Sequence, residues 1–119
     1  MDIRMIRGDT LTLDLVVTQD GAPIDLTGST MWMTAKLSAN DLDVDAVFQV
    51  TSPTNITFTN AALGMARIQV PPAKTSGLTI LAGKTLYAFY DIQLQFASGS
   101  VHTVDGGAVT IIPDITRAI

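Results

Sequence analysis

The sequence predicts an all-β protein, an antiparallel β-sandwich of about seven to nine strands. Three observations carry that prediction. Apolar and polar residues alternate with period two in several short runs, which is the pattern of a half-buried strand. All 11 acidic residues are Asp and none is Glu; Asp favours caps and turns, whereas Glu favours helix interiors. Turn signals recur roughly every 8–12 residues, the spacing of a sandwich and not of a parallel α/β sheet.

The runs follow in order. Leu11, Leu13, Leu15 and Val17 share one face of a first strand, with Thr10, Thr12, Asp14 and Thr18 on the other. Gln19-Asp20-Gly21-Ala22-Pro23 is a turn in which Asp-Gly supplies the left-handed position. Ile24 to Gly28 is a short extended piece. A second run places Met31, Met33, Ala35 and Leu37 on one face and Thr30, Trp32, Thr34 and Lys36 on the other. Residues 38–45 are polar and predict a loop or one helical turn. Two short strands, 46–51 and 55–59, are separated by Ser52-Pro53. After the turn Ala61-Ala62-Leu63-Gly64, Met65 to Val70 forms a strand with Ala66, Ile68 and Val70 facing one way. Pro71-Pro72 stops it, because proline cannot donate to a ladder. Residues 73–83 have room for a helical turn but no long helix. The strongest strand spans 85–96, with Leu86, Ala88, Tyr90, Ile92, Leu94 and Phe96 on one face. A hairpin turn at 97–100 leads into 101–104, Gly106-Gly107 predicts a bulge or bend, and 108–112 completes the pairing before Pro113.

The 119 residues are enough for one domain with its own core. The sandwich is expected over 1–113, with 114–119 as a C-terminal tail or docking arm. At 47% hydrophobic residues the chain is not globally disordered. The absence of cysteine excludes disulfides, thiolate metal sites and a cysteine nucleophile. A net charge of −4 with seven scattered basic residues argues against nucleic acid as a partner. No signal peptide and no apolar stretch of membrane-spanning length is present, so neither export by a leader nor a membrane partner is expected.

The candidates for chemistry are few. His102 is the only histidine. On a regular strand it shares a face with Ser100 and not with Asp105, so no nucleophile–base–acid set is expected. Asp41, Asp43 and Asp45 match positions one, three and five of a calcium loop. Ala46 stands where that loop needs Gly, and Ser52 where it needs Glu, so the cluster is a weak calcium candidate and otherwise a solvated loop. No cofactor motif and no catalytic residues are identified. Trp32, Tyr87 and Phe89 are expected to form an outward aromatic patch if their strands are neighbours. Arg7-Gly8-Asp9 has the form of an adhesion tripeptide. It runs directly into a strand, which predicts a turn at strand entry, with Asp9 capping the Thr10 or Leu11 amide.

Ile6-Arg7-Gly8-Asp9-Thr10, the Gly21-to-Gly28 stretch GAPIDLTG and Met31-Trp32-Met33-Thr34-Ala35-Lys36 resemble a family of phage proteins. So do Leu86 to Gln93, the Gly106-containing strand and Pro113-Asp114-Ile115-Thr116. The family is that of the N-terminal immunoglobulin-like domains of phage baseplate upper proteins and related short tail-associated proteins. The resemblance covers most of the chain, in order, through strand and turn motifs. It implies an immunoglobulin-like antiparallel sandwich without enzymatic activity, made in the host cytoplasm and built into the virion of a tailed phage as a tail or baseplate component. Its implied partners are other virion proteins, with the chain present as a homo-oligomer or in many symmetric copies. Members usually continue into coiled-coil and receptor-proximal regions, whereas this sequence ends at Ile119, so a stand-alone virion part is expected. Trp32, Tyr87, Phe89, Ile115, Arg117 and Ile119 are the expected partner contacts. A capsid decoration or head-completion protein is the alternative within the virion. A carbohydrate-binding or adhesion module is the alternative from another class.

Overall fold

The computed structural model describes residues 1–81 and 83–115. Among these the chain forms ten strands: β1 (Ile3–Ile6), β2 (Leu11–Val16), β3 (Thr18–Gln19), β4 (Ala22–Pro23), β5 (Thr30–Lys36), β6 (Phe48–Thr51), β7 (Ile56–Asn60), β8 (Met65–Val70), β9 (Leu86–Gln95) and β10 (Val101–Ile112). Three single 3-10 turns, Asp43–Asp45, Ala61–Leu63 and Pro72–Lys74, are the helical elements described. The protein is therefore all-β. Five strands form one sheet in the order β1-β10-β9-β5-β6, three form a second in the order β2-β8-β7, and β3 and β4 make a separate hairpin.

The alternation in the sequence becomes burial. Along β5, Met31, Met33 and Ala35 are fully buried, and the intervening residues are half-buried. Ala88, Tyr90, Ile92 and Leu94 of β9, Val109 and Ile111 of β10, and Ala66, Ile68 and Val70 of β8 join them in a single core cluster. Residues of both sheets meet in that cluster, so the inner faces cover one another. Each fully buried aliphatic side chain contributes about 1.5–3 kcal/mol. Leu26 is also fully buried. It is carried inward by the extended 24–28 piece, where the Asp25 carboxylate accepts hydrogen bonds from the Thr27 amide and hydroxyl at 2.9 and 2.6 Å. Leu37 departs from its run and lies exposed just beyond the end of β5.

The turns follow the chemistry of their residues. Asp20 and Gly21 both have positive φ, the requirement of the tight hairpin turn joining β3 to β4. Gly64 has φ 71°, and a Cβ there would lie 2.5 Å from the Val17 carbonyl oxygen and 2.8 Å from that of Ile24. Only glycine fits at this crossing of three backbone segments.

Ile3–Ile6 adds a strand that no run in the sequence predicts; it pairs in parallel with β10, Ile3 opposite Val109 and Ile6 opposite Ile112. Three sequence-based expectations are corrected. The two C-terminal runs are one strand, β10, because Gly106 and Gly107 stay in register opposite Asp91 and Tyr90. The bulge lies instead at Val104, between Thr103 and Asp105. Gly107 is required for another reason: a Cβ there would overlap the carbonyl of Met1. Finally, Asp9 closes its turn through its backbone, its amide donating to the Ile6 carbonyl at 3.1 Å, and not through a carboxylate cap on the next amides.

Candidate functional site

The outer face of the five-stranded sheet holds the exposed aromatic residues. Met31, Met33 and Ala35 point inward, so Trp32, Thr34 and Lys36 point outward. On β9 the inward set is Ala88, Tyr90, Ile92 and Leu94, which turns Tyr87, Phe89, Asp91 and Gln93 outward. β5 and β9 are direct antiparallel neighbours, so all three predicted aromatic residues share one face. Tyr87 is 72% exposed and Phe89 60% exposed, while Trp32 is half-buried.

The three do not form one contiguous patch. Trp32 stands opposite Gln93, Thr34 opposite Asp91, and Lys36 opposite Phe89. The Thr34–Asp91 rung separates the indole from the phenyl ring. Trp32, Thr34, Gln49, Phe89, Asp91 and Gln93 line an open groove of about 570 Å³. Gln49 on β6 donates its side-chain amide to the Thr34 hydroxyl at 2.9 Å, fixing that edge. Among the described residues, the side chains of Asp91 and Gln93 have no hydrogen-bond partner. The groove therefore offers aromatic surface beside open polar groups, a combination suited to binding.

Asp41, Asp43 and Asp45 do not converge. Lys36 Nζ lies 2.7 Å from Asp43 Oδ1 and donates to the Asp41 carbonyl at 2.9 Å. The Asp41 carboxylate accepts the Ser38 amide at 3.2 Å. A lysine ammonium thus supplies the positive charge that a calcium ion would bring, and its hydrogen bond holds the Asp43 carboxyl below its usual range. Among the described residues no three His, Asp or Glu side chains are placed to hold a metal ion.

The bulge at Val104 changes the histidine region. Before it, His102 stands opposite Leu94; after it, Asp105 stands opposite Ile92. Both partners point inward, so His102 and Asp105 share a face, contrary to the expectation for a regular strand. They still form no dyad. His102 stacks edge-on against Phe96 at 5.3 Å. The Asp105 carboxylate accepts the Gly106 amide at 2.8 Å and lies 3.5 Å from the amino group of Met1. Beside it, the buried Tyr90 hydroxyl donates to the Met1 carbonyl at 2.7 Å. Burial first, and the Asp105 charge second, push the Tyr90 phenol up to about 12. The short first strand gave no sequence signal for this cluster of Met1, Tyr90 and Asp105.

Arg7-Gly8-Asp9 is the crossing from β1 to β2, and so from one sheet to the other. Arg7 is buried, 8% exposed. Its Nε donates to Asp114 Oδ1 at 2.7 Å, and Nη1 donates to the Leu78 carbonyl at 3.0 Å. The Gly8 amide donates to the fully buried Thr75 hydroxyl at 2.8 Å. An adhesion tripeptide must present its guanidinium to a receptor, and here that group is enclosed by the protein's own carboxylate and carbonyl.

Of the predicted tail contacts, Ile115 is fully exposed; Arg117 and Ile119 lie outside the described residues. No helix among the described residues is long and apolar enough to cross a membrane. Compared with models of known protein families and with curated proteins, the chain matches none.

Proposed function

We infer that this chain is a non-enzymatic, immunoglobulin-like interaction domain and a structural component of a tailed-phage particle, most consistent with a tail or baseplate part. The observation that carries its binding role is the outer face of the five-stranded sheet, where Tyr87 and Phe89 are exposed and the half-buried Trp32 lies on the same face, one rung removed from Phe89. Exposed aromatic side chains on a rigid sheet are the residue types that anchor protein interfaces. The immunoglobulin-like assignment is supported by strand order. β2-β8-β7 corresponds to strands B-E-D, and β10-β9-β5-β6 to G-F-C-C′ of a variable-type sandwich. The place in a phage particle is supported by the sequence resemblance in the strand and turn motifs.

Mass spectrometry of purified particles, with heads and tails separated before digestion, tests this. Peptides of the chain in the tail fraction at a fixed ratio to other tail proteins are expected. Their presence in the head fraction identifies a decoration or head-completion protein instead, and their absence from both overturns the virion assignment. One observation favours a glycan as a second reading: the open Asp91 and Gln93 side chains beside Trp32 resemble the polar-plus-aromatic lining that sugars require. Glycan-array binding that disappears in Trp32→Ala would establish it.

A further inference from the structure

Sandwich edges are where sheets recruit new strands, and most edges of this protein are blunted. β6 is only four residues long and is followed directly by Ser52-Pro53. β7 loses register between Thr57 and Asn60. The upper part of β10, beyond the reach of β1, is broken by the bulge at Val104. β1 is four residues long and turns Arg4 outward.

β2 differs from all of these. It is the edge of the three-stranded sheet. Its six residues hold an unbroken register with β8, from Leu11 opposite Val70 to Val16 opposite Met65. It contains no Pro, Lys or Arg. Its one charge, Asp14, is met on β8 by Arg67 Nε at 2.8 Å. Among the described residues no strand pairs with its other side. Its inward row is also under-covered: Leu11, Leu13 and Leu15 are half-exposed, whereas the inward residues of β5 are fully buried.

We propose that β2 is a self-association edge, at which a second copy of this chain adds its own β2 antiparallel about a two-fold axis. This rests on the reading of the chain as a multi-copy interaction protein. The occupant is chosen by charge and periodicity. With Leu13 opposite Leu13 of the second copy, Leu11 falls opposite Leu15 and Thr12 opposite Asp14. The half-exposed leucines then merge into one apolar row, because directly opposed residues lie on the same sheet face. On the outer row each carboxylate meets a hydroxyl on one side and Arg67 on the other. The register one step along sets Asp14 against Asp14 and is disfavoured by like-charge opposition. The contact is isologous, so it closes at two copies. One strand pair is a small interface, which makes it weak in solution and effective where an assembly raises local concentration.

Sedimentation velocity over a rising concentration series, paired with amide hydrogen exchange, tests the proposal on the full chain. A monomer–dimer equilibrium is expected, with added protection at high concentration confined to residues 11–16. Two charge variants test the register. Thr12→Asp opposes Asp14 of the second copy and is expected to weaken the dimer about two- to fivefold, whereas Thr12→Lys is expected to strengthen it by a similar factor. Thr12 is exposed, so neither change disturbs the core. A chain that stays monomeric throughout overturns the proposal, as does a dimer protected on the Tyr87–Phe89 face or one indifferent to both variants. Any of these leaves the particle assignment to be decided by mass spectrometry, so the two claims fail separately.

Discussion

Arg7 Nε donates to Asp114 Oδ1 at 2.7 Å, joining the crossing between the two sheets to the residue that follows the last strand and Pro113. Both side chains are largely buried. Charge-assisted hydrogen bonds in such surroundings are costly to break, because the remaining charge keeps its desolvation cost without its counter-ion. Arg7→Ala is expected to destabilise the fold by about 2–4 kcal/mol. Asp9→Ala, at an exposed position of the same tripeptide, should stay within about 0.5 kcal/mol. Urea unfolding of both variants measures the contrast. An Asp9 effect as large as that of Arg7 would mean that the Asp9 carboxylate, and not its backbone alone, holds the turn.

Tyr90 gives a pH dependence with a defined sign. In the fold its phenol holds its proton up to about pH 12, against 10.0 for an unperturbed tyrosine. Below pH 10 both folded and unfolded states are protonated and the contribution is complete. Between about 10 and 12 the unfolded chain releases the proton while the native state keeps it, so stability falls as pH rises. The loss is on the order of 2–3 kcal/mol over that window. Tyr90→Phe should cost about 1 kcal/mol at neutral pH, through the lost bond to the Met1 carbonyl, and should flatten the alkaline decline. Urea midpoints for both proteins at about pH 8 and pH 11 compare the slopes.

How much of this was legible depends on how local the cause is. β2, β5, β8 and β9 were visible because each carries its own alternation. β1 was not, since four residues hold little pattern and its partner lies over a hundred residues away. Gly106-Gly107 signalled an unusual backbone, but the requirement at Gly107 is a non-local approach by Met1. The face shared by His102 and Asp105 depends on one bulged residue, Val104, which carries no glycine or proline to announce it. That Trp32 and Phe89 point the same way followed from periodicity. Their separation by the Thr34–Asp91 rung followed only from strand register, which alternation within single strands does not specify.

Gly64→Ala tests the crossing of three backbone segments. The substitution adds a left-handed strain of about 1–2 kcal/mol and a Cβ against the carbonyls of Val17 and Ile24. Neither carbonyl is a flexible side chain: the Val17 oxygen accepts the Ile24 amide and the Gly64 oxygen accepts the Val17 amide, at 2.9 and 2.8 Å. A total loss of about 2–4 kcal/mol is expected. Gly99→Ala, with positive φ but open space around it, should cost only the strain. Thermal unfolding of the two variants separates steric from conformational cost, and equal losses would mean that the backbone around Gly64 yields.

The outer face of the five-stranded sheet is expected to separate binding from stability. Phe89 is 60% exposed and lies beside Ala108 and Lys36 in the sheet, so Phe89→Ser removes aromatic surface without opening the core. Its unfolding free energy should stay within about 0.5 kcal/mol of the parent. If the ring anchors a partner, its removal costs at least about 1–2 kcal/mol of binding, roughly tenfold or more in affinity. Ile68→Ala makes the opposite control. That side chain is fully buried between the sheets, and its truncation is expected to cost about 2–5 kcal/mol of stability while leaving the outer face chemically intact. If the proposed particle role holds, incorporation of each variant into particles, measured against its unfolding midpoint, distinguishes the cases. Loss of incorporation in stable Phe89→Ser supports the face as the docking surface. Normal incorporation of Phe89→Ser and of the matching Tyr87→Ser would move the contact elsewhere on the protein.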